Sequence, residues 1–78
     1  MDLPDIEETA ALVHEAWMSQ KLAEGCTSRL SPDGHEQMVP YEELPEDLKN
    51  LNRETVRTVY DAIIINHIRS LKKESANG

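Results

Sequence analysis

Phenylalanine is absent from this chain, tryptophan occurs once and tyrosine twice. Isoleucine, leucine and valine must therefore do most of the packing, in a chain where 38% of 78 residues are apolar. One domain of this length hides only about 60–65% of the surface its unfolded chain exposes, so its core is thin. Cys26 is the only cysteine, which excludes an internal disulfide and suits a reducing, cytoplasmic setting. The longest apolar run, Ala62 to Ile65, falls far short of a membrane span. Asp2, Asp5, Glu7 and Glu8 argue against a signal or transit peptide at the start. The glycines are few and scattered, so no loop of the phosphate-cradling kind is present. Neither an internal repeat nor a low-complexity tract occurs.

Charge is abundant but uneven. Residues 1–48 carry twelve acidic and two basic residues, whereas residues 49–78 carry six basic and three acidic ones. The overall net charge of −7 argues against non-specific nucleic-acid binding, which depends on neutralising phosphates. The basic final third has two readings. Either it pairs with the acidic part inside the fold, or it faces an anion or the acidic patch of a partner.

Hydrophobic spacing predicts a helix over about 4–24, with Ile6, Ala10, Val13 and Trp17 on one face. Pro4 suits a first helical turn, the nearby acids suit its positive end, and Gly25 suits its stop. Residues 26–38 lack a helical period, and Ser31-Pro32-Asp33-Gly34 is a turn signal. Val39 precedes a proline, so residues 39–44 read as extended. A short helix is expected over 45–51, then Asn52 as the cap of a last helix reaching about Lys72. That helix places Val56, Val59, Tyr60, Ile63, His67 and Leu71 along a stripe broadened by Ile64 and Ile68. The expected fold is mainly α: two long antiparallel helices, a short third helix and an extended, hairpin-like connection. It forms one domain over 1–78, with an ordered core of about 4–72 and a flexible tail over 73–78.

Few residues suggest chemistry. His14-Glu15-Ala16-Trp17-Met18 opens like a zinc-protease helix, but Met18 stands where the second histidine must be. His14, His35 and His67 lie on separate elements, so no metal site and no cofactor are expected. Cys26 follows the end of the first helix, where the dipole disfavours a thiolate. No catalytic grouping emerges, and an enzyme is not expected. Trp17 has two readings, a core side chain or the wall of a site for a planar ligand. Lys21 lies one turn further along the same side. Arg53, in turn, either pairs with the acids of 42–47 or joins Tyr41 and Lys21 around Trp17.

The connection itself is distinctive, with Val39-Pro40-Tyr41, Leu44, Lys49 and Asn52-Arg53 in about fifteen residues. Together with His14-Glu15, Trp17, Lys21 and Gly25 in the first helix, and Thr55 after it, this pattern resembles the ryanodine receptor repeat, or RyR, domain over roughly 6–72. Two features depart from that family: Cys26 and Ser28 stand where an aromatic pair follows the glycine, and the loop of 28–38 is short. The resemblance implies a stand-alone, single-repeat module of bacterial or phage origin. It also implies a ligand role, because one repeat pair of the receptors is similar to an adenine-nucleotide site with tryptophan among its contacts. The expected function is thus a non-catalytic binding module for a small anionic ligand such as an adenine nucleotide. Its candidate ligand-binding residues are Trp17, Lys21, Tyr41 and Arg53. The alternative is a protein-interaction or homo-oligomerisation module that buries Ile64, Ile65 and Ile68 in a homodimer. Neither nucleic acid nor membrane is an expected partner.

Overall fold

The computed structural model describes the backbone of residues 2–77 and the side chains of residues 2–73. Two helices dominate it: α1, Ile6–Ala23, and α2, Glu46–Asn77. Asp5 caps α1 by accepting the Glu8 amide at 3.1 Å, and Glu7 and Glu8 complete an acidic first turn. Pro4 lies just outside that cap rather than in the first turn. Its carbonyl instead accepts the Tyr60 hydroxyl at 2.9 Å, tying the chain start to α2. At the far end Gly25 takes φ +84, a left-handed value that favours glycine. The Cys26 amide then reaches the Lys21 carbonyl at 2.9 Å and the Gly25 amide reaches Leu22 at 3.0 Å, closing the helix with a Schellman motif.

Residues 29–37 form a miniature hairpin. The Gly34 amide donates to the Ser31 carbonyl at 2.9 Å, and Leu30 and Glu36 form a single antiparallel bridge. Residues 39–44, expected to be extended, are not so throughout. Tyr41–Glu43 form a 3-10 turn, closed by the Leu44 amide donating to the Tyr41 carbonyl at 3.1 Å, while Pro40 before it and Leu44 after it are extended.

The short helix over 45–51 and the last helix from Asn52 are one helix, and this corrects the three-helix expectation. Asn52 is not a cap. Its side-chain amide donates to the Leu48 carbonyl at 3.3 Å, one turn back in the same helix. Neither proline nor glycine occurs between Pro45 and Gly78, so nothing forces a break. An interior asparagine is only mildly unfavourable, well under 1 kcal/mol. The flexible tail expected over 73–78 falls, beyond Lys73, outside the residues whose side chains are described.

Contacts between the helices run in opposite chain order: Thr9 meets Tyr60, while Trp17 shares a cavity with Leu48. The core comprises Ala10, Tyr41, Leu44, Leu48 and Val56, with Ile6, Ala11, Val39 and Tyr60 against it. Thus the 3-10 turn, not a second helix face alone, fills the space between α1 and α2. The inward stripe of α1 includes buried His14, whereas Val13 is exposed. On α2 the apolar stripe is covered only as far as Tyr60. With 32 residues α2 is about 48 Å long, close to the 54 Å length of the molecule. The 18 residues of α1 cover roughly half of it, and every residue from Asp61 to Lys73 is exposed.

Candidate functional site

Two cavities flank the packed core, and each is built from α1, the connection and α2. The first, about 300 Å³, is lined by His14, Trp17, Arg29, Gln37, Leu44, Leu48, Leu51 and Asn52. Trp17 is half-buried and lies nearly parallel to the His14 ring, with centroids 5.6 Å apart and planes 23° apart. His14 itself is buried, and its Nε2 donates to the Val39 carbonyl at 2.7 Å. A carbonyl can only accept, so the proton sits on Nε2. This bond fixes the imidazole that backs the indole, and it holds the Val39-Pro40-Tyr41 segment against α1.

Arg29 and Gln37 reach this cavity through the miniature hairpin. Glu36 stabilises that hairpin by accepting the Ser28 hydroxyl and the amides of Arg29 at 2.7 Å and Met38 at 3.1 Å. These bonds, the Ser28 one foremost, hold its carboxyl below the usual range. No carboxylate lines the first cavity, and among the described residues none pairs with the Arg29 guanidinium.

The second cavity, about 220 Å³, is lined by Glu7, Glu8, Ala11, Tyr41, Glu42 and Lys49. Tyr41 is buried in its wall. The Tyr41 hydroxyl donates to Glu7 at 2.9 Å, and the Lys49 ammonium stands 5.7 Å from its ring centroid. Burial, then the Glu7 carboxylate, push the phenol up from its ordinary value. Arg53 grips Glu7 with two bonds of 2.6 and 2.9 Å and reaches Glu46 at 3.0 Å and Asn50 at 3.2 Å. Its guanidinium is therefore committed to two carboxylates and is held protonated by them, Glu7 first.

The Arg53 bonds, followed by the Tyr41 hydroxyl, draw the Glu7 carboxyl down from 4.5 to about 2. A carboxyl depressed in the folded state adds stability above its unfolded value and loses it as pH falls toward the folded one. The stability gap between the native chain and Glu7→Gln should therefore be constant above about pH 5 and close between about pH 4.5 and pH 2. Urea unfolding of both chains across that window measures it, and a gap that persists at pH 2 would contradict the arrangement.

The four residues proposed from sequence thus fall in different places. Trp17 lines the first cavity. Tyr41 and Arg53 come together through Glu7 on the side of the second. Lys21 lines neither and pairs with Glu24 at 3.5 Å. Arg29, Gln37, His14 and Glu7 were not among the residues proposed from sequence. The spacing of Ile6, Ala10, His14 and Trp17, a continuous inward stripe, was the available signal for His14. Nothing local marked the other three. Among the described residues no three His, Cys, Asp or Glu side chains converge as a metal site. Nor is any described helix long and apolar enough to cross a membrane.

Two helices clamped around a proline-led turn, with an aromatic-walled cavity at the side, define a small helical module. A family model for the RyR domain matches residues 4–70, nearly the whole chain, and the chain belongs to that family. Among curated proteins and among solved structures, none matches it.

Proposed function

We propose that this RyR-type module binds a small planar anion, with an adenine nucleotide as the candidate, in the cavity beside Trp17. The reading rests on one contrast. The cavity beside Trp17 has an arginine and no carboxylate in its lining, whereas the other cavity is lined by three glutamates and one lysine. An anion is favoured in the first and repelled from the second. At about 300 Å³ the first cavity sits at the lower end of ligand-pocket sizes, enough for a base with its phosphates at the mouth. In this reading Trp17 stacks on the base, Gln37 and Asn52 offer amides to its edge, and Arg29 neutralises phosphate. Tyr41 and Arg53 hold the connection that closes the wall, and Lys21 lies one turn beyond the indole. The module is non-catalytic in this proposal and carries no cofactor. The alternative, a protein-interaction module, draws on a different region, the exposed face of α2.

Titrating the chain with adenosine, ADP and ATP while following the fluorescence of its single tryptophan tests the proposal. Arg29→Gln should weaken ATP binding by about tenfold or more while leaving the adenosine response intact. No response to any of the three at millimolar concentration would sink the reading. A response abolished by Lys21→Gln but kept by Arg29→Gln would move the anion away from this cavity.

A further inference from the structure

Among the described residues none covers α2 beyond Tyr60, yet the exposed stretch is not a solvated charged helix. Asp61, Ile65, Ile68 and Lys72 are spaced 4-3-4, which sets them along one narrow stripe of the kind that seams two helices together. Ile64 and Leu71 flank that stripe, and Ile65, Ile68 and Leu71 are each about half exposed. The acidic end of the stripe faces the globular part of the molecule, and the basic end points away from it.

We propose that residues 61–73 of α2 pair with the same stretch of a second copy in antiparallel orientation. A two-fold axis between residues 66 and 67 sets Ile65 against Ile68 of the second copy, and the reverse. The same axis sets Asp61 against Lys72 of the second copy at both ends of the seam, so every contact is self-complementary. A parallel pair would instead stack Asp61 on Asp61 and Lys72 on Lys72. It would also bring two strongly acidic residue 1–48 regions side by side, each with twelve acidic and two basic residues. Length agrees with the antiparallel choice. The exposed stretch of residues 61–73, about 20 Å long, is centred on residue 67, so the two globular parts would sit at opposite ends of the seam without overlapping it. This surface is separate from the cavity beside Trp17, so either proposal can fail alone.

Sedimentation of the full chain from micromolar to millimolar concentration at low salt tests the pairing. A reversible dimer is expected. Ile68→Glu, a change at an exposed helix position, should weaken it by about tenfold or more with the helical circular dichroism unchanged. Asp61→Lys should weaken it by a few fold, and adding Lys72→Asp in the same chain should restore it. A strict monomer at millimolar concentration would overturn the proposal, as would a dimer indifferent to Ile68→Glu. Association of Asp61→Lys that is unchanged or stronger would place residue 61 outside an Asp61–Lys72 seam, and would overturn it equally.

Discussion

Tyr41→Ala should destabilise the fold by about 3–5 kcal/mol, the range for truncating a large buried aromatic side chain. The ring is 4% exposed, and it stands among Ala10, Leu44, Leu48 and Val56 in a chain with no phenylalanine to fill the space. A domain of this length has a folding free energy of roughly 4–12 kcal/mol in total, so the loss takes a quarter of it or more. Two further contacts go with the ring: the hydroxyl bond to Glu7 at 2.9 Å and the Lys49 ammonium over its face. Urea unfolding followed by circular dichroism and Trp17 fluorescence gives the number. At roughly 4–8 °C per kcal/mol the thermal midpoint should drop by about 12 °C or more. Tyr41→Phe separates the two contributions, because it keeps the ring and deletes only the hydroxyl. A loss below about 1 kcal/mol for Tyr41→Ala would mean that the 39–44 segment is not part of the core.

The same residue shows what could be read from sequence and what could not. Features written in adjacent residues were legible: the acidic start of α1, its glycine stop and the Ser31–Gly34 turn. Family membership was legible too, because the Val-Pro-Tyr block and the His-Glu-x-Trp helix are local patterns. The break expected at Asn52 failed because asparagine serves equally as a cap or as a tolerated interior residue. The missing glycines and prolines over 46–77 were the better guide. Arg53 shows the harder limit. Its carboxylate in the 42–47 run, Glu46, was foreseeable, but Glu7 lies 46 residues away and meets it only after α1 docks. Arg29 comes to line the cavity beside Trp17 by a similar route, since only the hairpin brings it back. The end of the covered part of α2 was likewise invisible, because the apolar stripe continues past Tyr60 without a change in period.

His14 carries the second large effect. A histidine on the inner face of α1 is a polar group placed where Val13 would have been the simpler choice. It is tolerated because its Nε2 finds the Val39 carbonyl at 2.7 Å. Among the described residues no buried side-chain polar atom lacks a partner, so the site is fully satisfied as built. His14→Ala removes three things at once: the donor to that carbonyl, the ring stacked on Trp17, and the ring 6.4 Å from Tyr41. The expected loss is about 2–4 kcal/mol, the sum of a medium-sized cavity and an orphaned acceptor. Because the imidazole is also the backing of the indole, the variant should red-shift Trp17 emission even where it remains folded. His14→Gln, which can still donate to Val39, should recover part of the stability but not the emission. If His14→Ala proved as stable as the native chain, the Val39 carbonyl would have to be hydrated. The clamp between α1 and the proline-led turn would then rest on Tyr41 and the Glu7–Arg53 pair alone.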